Sequence, residues 1–402
     1  MKIVFLGGFY TESVFEYVRN NSVGPLQNAA NVLQKNYLHG FVNARKEIEL
    51  ICINLPFIGS YPKYFKVQSF VPPSNVESIY GSWTVYNLKF NNIKGFKNIA
   101  RAFNAIKAFF SMIKAEEQCR IVCYSMHLPF LCACFLAKIF KAGCKFYVII
   151  PDLPEYMSDR AGVSKKIHEW INRLSYYIVN KSDGVVYITE HMASRFSHHL
   201  PYTVIEGIAL PDVNIDNDWW QEEIDKKKYF LYTGTLDRRY GIKDLVDSYI
   251  ESGVSNYKLV ICGDGNEREY LEKMALRFNN IKYLGQLEHD KIVKLQSNAS
   301  LLINPRRGED EFTKFSFPSK VIEYMRSGVP ILMYKLDGIP KEYNEFFFHI
   351  NSTDEFSSKL REIAAMDGVA LDLMGEAAKK FIMHNCNSRR QVDKLISLIE
   401  RT

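Results

Sequence analysis

The chain has 402 residues, of which 47% are hydrophobic and 24% charged, and a formal net charge of +6. That length supports two ordinary domains with cores of their own, and that composition excludes a disordered, collagen-like or small disulfide-stapled chain. The charge suits anionic substrates or a membrane surface and does not call for nucleic acid.

The eight cysteines are scattered, without zinc-type pairing or a short disulfide framework, so buried free thiols in a reducing cytosol are expected. No metal site and no cofactor are expected. The start, MKIVFLGGFY, lacks the long apolar core and small-residue cleavage site of a signal peptide. The most apolar later stretch, LPFLCACFLAKIF, is broken by Lys138 and is too short to span a bilayer.

In chain order, Lys2 to Leu6 reads as a buried strand and Gly7-Gly8 as the turn at its carboxyl end, where glycine lets backbone approach a ligand closely. VGPLQNAANVLQKNYLHGF reads as a helix with Gln27, Asn31 and Gln34 on one face, either solvated or bonding a sugar. IELICINLP and SWTVYNLKF are strands. Gly95 to Glu116 is a long helix carrying Lys97, Arg101, Lys107 and Lys114 beside Phe103, Phe109 and Phe110. Such a helix either lies on anionic lipid or packs on a core with its basic face in water. RIVCYS is a strand, and His127 follows its carboxyl end. KFYVIIPDLPEYM and GVVYIT continue the same strand-then-loop pattern.

The stretch 209–228 is polar and irregular and reads as a linker. Its Asp216-Asn217-Asp218 imitates a metal-binding Asp-x-Asp, but it lacks the strand end that motif needs, so no metal is expected there. Beyond it, KYFLYTGT, YKLVICGDG, IKYLGQL, SLLINP, VPILMY and FFFHI are strands with helices between most of them, a doubly wound α/β pattern. Two helices close the chain.

Leu301 to Tyr334 concentrates the chemistry. LLIN is a strand, a loop with Arg306 and Arg307 follows, a helix opens at Pro318-Ser319 and closes before Gly328, and ILMY is the next strand. Loops at carboxyl ends of parallel strands are where open α/β sheets bind ligands. The first turn of a helix offers unpaired N–H groups and positive dipole to a phosphate. Lys320 sits in that turn against the dipole, which makes sense with an anion between them. Ser319, Lys320 and Glu323 share one helix face. Glu323, one turn deeper, is placed to accept the two hydroxyls of a ribose.

The segment FPSKVIEYMRSGVPIL resembles the donor-binding segment of family-four retaining glycosyltransferases, in particular the bacterial polysaccharide-assembly members with Phe-Pro-Ser-Lys before the glutamate. The resemblance implies a GT-B fold, two Rossmann-like doubly wound α/β domains facing across a cleft. It implies an acceptor-binding domain over 1–208, a nucleotide-sugar-binding domain over 209–386, and a last helix, 387–402, returning to the first. It implies metal-independent transfer of a hexosyl unit from a nucleoside diphosphate sugar, UDP-linked, to a lipid-linked glycan acceptor, by a cytoplasmic protein at the inner face of the cell membrane. An epimerase of the same fold and a non-catalytic partner subunit are the alternatives.

Residue by residue, the resemblance gives Gly7 and Gly8 to the loop facing the sugar and diphosphate, and His127 to the transferred sugar. Gln286 and Leu287 hold the base through backbone. Ser319 and Lys320 meet the phosphates, and Glu323 meets the ribose. YTGTLDRRYGIKDLV resembles the first loop of the second domain, but the family's phosphate-binding arginine and lysine positions are Thr235 and Tyr240 here. Arg238, Arg239, Lys243, Arg306 or Lys320 then has to supply the charge. The position of a first glutamate is Phe315, with Glu309, Asp310 and Glu311 as nearby replacements.

Overall fold

The computed structural model describes residues 1–24, 26–44, 47–80, 83–113, 118–156, 163–211, 228–308 and 311–402. It contains two compact units, Met1–Ile208 with Cys386–Thr402, and Ala209–Asn385. Each is a mainly parallel α/β sheet flanked by helices, a Rossmann-like arrangement.

In the first unit the strands are β1 (Lys2–Gly7), β2 (Glu49–Asn54), β3 (Ser69–Phe70), β4 (Val76–Ile79), β5 (Trp83–Asn87), β6 (Phe90–Asn91), β7 (Cys119–Tyr124), β8 (Cys144–Ile150), β9 (Gly184–Tyr187) and β10 (Tyr202–Val204). The eight-stranded sheet runs β10-β9-β8-β7-β1-β2-β5-β4, with only β4 antiparallel to its neighbour, and β3 pairs separately with β6. Its central strands read as continuous apolar runs because helices cover both faces. Order reverses where β7 joins β1 on the side away from β2. The loops after β1 and β7, with Gly7-Gly8 and His127, therefore flank the switch point where such sheets bind ligands.

The helices are α1 (Glu12–Asn21), α2 (Asn28–Val42), α3 (Lys97–Met112), α4 (Leu128–Phe140), α5 (Val163–Val179) and, in the second unit, α6 (Ile242–Ser252), α7 (Arg268–Arg277), α8 (His289–Asn298), α9 (Ser319–Ser327), α10 (Asp354–Ala364) and α11 (Gly368–Asn385). The last, α12 (Ser388–Arg401), packs on α2 of the first unit. A Cβ on Gly40 would lie 2.3 Å from Val392 and 2.5 Å from the Ser388 carbonyl. Only glycine allows the two helices this close approach.

Two expectations fail here. Lys97 and Arg101 of α3 turn inward: Arg101 is buried, donates to the Leu55 and Pro56 carbonyls, and lies 5.3 and 4.6 Å from the Phe57 and Phe90 ring centroids, while Lys97 donates to the Ile58 carbonyl. The two cations strap the loop after β2 instead of forming a basic outer face. Lys107 is exposed, and Lys114 lies outside the described residues. The amides of α2 are also engaged. Gln34 Oε1 accepts from Gly8 N at 2.7 Å and Asn31 Oδ1 from Tyr10 N at 2.8 Å, and both side chains are buried. They hold the turn after β1, whereas Gln27 and Asn28 at the start of the helix stay exposed.

In the second unit, β11 (Tyr229–Thr233), β12 (Lys258–Cys262), β13 (Ile281–Tyr283), β14 (Leu301–Asn304), β15 (Ile331–Tyr334) and β16 (Phe347–Ile350) form a parallel sheet in the order β13-β12-β11-β14-β15-β16. Its order reverses between β11 and β14, which brings the loops 234–241 and 305–308 side by side at the carboxyl edge. The residues 212–227, including Asp216-Asn217-Asp218, lie outside the described part, as do Glu309 and Asp310. No helix among the described residues is long and apolar enough to cross a membrane. The eight cysteines form no disulfide; seven are buried and Cys132 is half-buried.

Candidate functional site

The site is built on α9. Val321, Ile322, Tyr324 and Met325 face the core, leaving Ser319, Lys320 and Glu323 on the open face. Pro318 presets the entry with φ −67°, and Gly328 ends the helix with φ +73°, its N–H bonded to the Met325 carbonyl. The Tyr324 hydroxyl accepts from Thr233 N at 3.1 Å and lies 3.2 Å from Thr233 Oγ1, which in turn accepts from Gln296 Nε2 at 3.1 Å. This buried network fixes the middle of α9 against the end of β11.

Lys320 crosses that gap. Its ammonium donates to the Tyr232 hydroxyl at 3.2 Å and lies 4.6 Å from the Tyr232 ring centroid. Tyr232 donates onward to the Thr235 carbonyl at 2.8 Å. Gly234 makes room: with φ +140°, a Cβ there would lie 1.5 Å from Lys320 Nζ. Burial, and secondarily Arg306, push the Lys320 pKa down to about 8, with Glu323 acting in the opposite direction. The side chain keeps some surface, yet its ammonium is poorly hydrated, which is the state an incoming anion relieves.

Arg306, from the loop after β14, is sandwiched between Tyr240 at 5.6 Å and Phe312 at 4.7 Å from its guanidinium carbon. Tyr240, at a position where the resembling family has a lysine, thus acts here as a platform for an arginine. Arg239 is directed elsewhere: it forms two bonds with Asp237, at 3.0 and 3.1 Å, which hold that carboxyl below its usual range. Thr235 and Arg238 are exposed beside it. Arg307 pairs with Asp244 at 2.8 Å. Gln286 and Leu287 sit after β13, behind Gly285, whose carbonyl accepts from Gly263 N at 2.8 Å. Phe315 is buried, so that position itself offers no carboxylate; Glu311 is exposed nearby, and Glu309 and Asp310 lie outside the described residues.

The structure thus brings together Lys320, Arg306 and Glu323, and leaves Arg239 outside. Sequence reasoning missed Tyr232, Tyr240, Phe312 and Tyr324. Their signal was weak, because each is an aromatic in or beside an apolar run and its role depends on which loop it meets.

In the first unit, Gly7 and Gly8 are accounted for by packing as well: a Cβ on Gly7 would meet Gln34 Oε1 at 2.5 Å, and one on Gly8 the Leu55 carbonyl at 2.8 Å. His127 caps α4 and packs edge-on to Phe57 at 5.5 Å and Phe130 at 4.6 Å. Its Nδ1 is buried without a hydrogen-bond partner. Burial first, then Arg101 and Lys97, hold its pKa well below the usual value, so the ring is neutral at pH 7. Among the described residues no group of three or more His, Cys, Asp or Glu is placed to hold a metal ion.

Residues 214–381 match the family model for glycosyl transferases group 1. The candidate site lies inside that segment. An uncharacterized glycosyltransferase of Methanocaldococcus jannaschii is 21% identical over 258 residues, 58% of this chain and 64% of the relative. The chain therefore spans just under two thirds of that relative's length. Among solved structures, sucrose-phosphate synthase from Thermosynechococcus elongatus superposes with a TM-score of 0.66 at 14% identity, covering 100% of this chain and 98% of the other. Anabaena HepE, solved in complex with UDP, does so with a TM-score of 0.61 at 12% identity and 100% coverage of both. These likenesses show the fold, which is GT-B with two Rossmann-like domains.

Proposed function

We propose that the protein is a glycosyltransferase that moves a hexosyl unit from a UDP-sugar to a lipid-linked glycan, without a metal, at the cytoplasmic face of a membrane in polysaccharide assembly. The group 1 match supports the transferase class, and the UDP in the HepE structure supports the nucleotide. One observation carries the reading: the poorly hydrated Lys320 ammonium stands in the first turn of α9, one turn from Glu323, close enough to Arg306 for the guanidinium to push its pKa down further. A desolvated ammonium is unfavourable by itself and becomes favourable against a diphosphate, which a neighbouring guanidinium can also bind.

In this reading the diphosphate lies between the first turn of α9, Lys320 and Arg306. Glu323 accepts the ribose hydroxyls, and the backbone at Gln286 and Leu287 meets the base. As the glycosidic bond lengthens, negative charge grows on the leaving phosphate and the fixed cations stabilise it more than the ground state. Neutral His127, with an unpartnered buried nitrogen, orients the transferred sugar in the acceptor-binding unit. The test is calorimetric binding of UDP followed by assay of UDP-sugar consumption with and without a lipid-linked glycan acceptor. Absence of UDP binding refutes the reading. Binding without turnover favours a non-catalytic subunit, which Phe315 and Tyr240 at two expected charged positions also favour. Conversion of the UDP-sugar without an acceptor indicates an epimerase.

A further inference from the structure

The inward turn of Lys97 and Arg101 leaves the outer face of α3 to other residues. Phe96, Ile99 and Phe103 are 64%, 68% and 65% exposed, and Phe110 is 42% exposed. At 100° per residue these four and exposed Lys107 fall within roughly 80° of one another. The opposite side, with Arg101, Ala105, Ala108 and Phe109, is already buried. The helix thus has one apolar face in the core and a second one in solvent. The second face continues onto the end of α4, where Phe140 is 65% exposed and its ring centroid is 6.1 Å from that of Phe110. Single exposed apolar residues are ordinary, but a continuous stripe of large ones marks a contact surface.

The charges on this surface identify what it contacts. The stretches 94–113 and 128–141 contain no carboxylate. Lys107 is exposed at the stripe, Lys94 is exposed in the turn before α3, and the half-buried Lys141 ammonium, which donates to the Ile113 carbonyl at 2.8 Å, sits 5.3 Å from the Phe110 ring centroid. Large apolar side chains beside lysines, with no acid among them, match the interfacial zone of an anionic bilayer, where rings enter the acyl boundary and ammonium groups stay at the phosphates. A second copy of the chain fits poorly, because a two-fold contact through this face would set its lysines against like charges.

We propose that α3 and the adjoining end of α4 dock flat on an anionic lipid surface through Phe96, Ile99, Phe103 and Phe110, with Lys94, Lys107 and Lys141 at the headgroups. The proposal deepens the reading of a membrane-presented acceptor and rests on it for its purpose. Bare vesicles test the contact alone, so its failure and a failure of UDP binding are separate results. The full chain should co-sediment with phosphatidylglycerol-containing vesicles at low salt, and much less with pure phosphatidylcholine. Ile99→Ser with Phe103→Ser should weaken vesicle binding at least about tenfold while leaving UDP affinity and the melting curve unchanged, since both side chains are in solvent. Phe103→Trp should be quenched by brominated lipid and blue-shifted on binding. No sedimentation with any vesicle, or binding indifferent to the double substitution, overturns the proposal. So does a dimer in analytical ultracentrifugation that the same substitutions dissociate, because the face is then a protein interface.

Discussion

The Lys320 ammonium donates to the Tyr232 hydroxyl at 3.2 Å and lies 4.6 Å from the centre of the same ring. One aromatic side chain therefore supplies a lone pair and a π-face to one cation. Burial raises the Tyr232 pKa well above its usual value, so the hydroxyl remains a phenol and offers no countercharge. The lysine is held in place without being neutralised, which leaves its charge available to a ligand.

Binding of UDP should depend on pH through this lysine. Its folded pKa is about 8, against an ordinary value of 10.5, with burial as the first cause. Between those values the unfolded chain holds the proton and the folded one does not, so the stability contribution of Lys320 is unfavourable below about pH 8 and improves as pH rises towards 10.5. Diphosphate binding runs the other way, because it requires the ammonium. UDP affinity should fall as pH rises through 8, and binding there should take up protons. Calorimetry in two buffers of different ionisation enthalpy measures the uptake; a pH-independent affinity between 7 and 9, or uptake that persists in Lys320→Ala, would remove Lys320 from the site.

Turnover should suffer more than affinity when Lys320 is replaced by alanine. The charge on the leaving phosphate is larger in the transition state than in the bound donor, so loss of a fixed cation should lower kcat by roughly 10² or more. Lys320→Arg should rescue little, since the planar guanidinium does not fit the passage over Gly234. Near-normal kcat in Lys320→Ala would transfer the phosphate role to Arg306 or Arg238.

Glu323→Gln should weaken UDP binding by about 1.5–3 kcal/mol, the range for a hydrogen bond to a charged acceptor. Glu323 lies on the open face of α9, away from the buried Val321, Ile322 and Tyr324, so the melting temperature should hardly change. The decisive comparison is UDP against 2′-deoxy-UDP. If the carboxylate holds the ribose, the wild-type preference for UDP should shrink in the variant; an undiminished preference counts against the assignment.

The sheet of the second unit was legible because fully buried parallel strands are continuous apolar runs. KYFLYTGT, SLLINP and VPILMY announce β11, β14 and β15 without help from tertiary context. The limits of α9 were legible too, since Pro318 and Gly328 carry local backbone constraints that do not depend on the rest of the fold. The inner and outer faces of α3 were not. Lys97 and Arg101 read as an outer basic face, on lipid or in water, but the carbonyls of the loop after β2 and the rings of Phe57 and Phe90 pull them inward. Charge on a helix indicates the water side only when no distant carbonyl competes for it. Arg239 and Arg306 looked equivalent for a similar reason. Asp237, two residues from Arg239, captures it locally, whereas the Tyr240 and Phe312 platforms that direct Arg306 come from separate segments of the unit.

Gly234→Ala tests whether the approach of β11 and α9 is what places the lysine. Gly234 has φ +140°, where an alanine is strained, and its added Cβ would lie 1.5 Å from Lys320 Nζ and 2.2 Å from Cε. The lysine is the flexible partner, so the side chain should swing away while the backbone holds. The variant should fold, with a loss of about 1–3 kcal/mol from the strained conformation, measurable by denaturant unfolding. UDP affinity should drop about as far as in Lys320→Ala, although no ligand contact was deleted. The double variant Gly234→Ala/Lys320→Ala should bind UDP no worse than either single one, because both remove the same ammonium from the same place. Additive losses in that cycle would mean that Gly234 acts on the ligand by its own route, through the turn after β11, and that the seating of Lys320 over it has no part in binding.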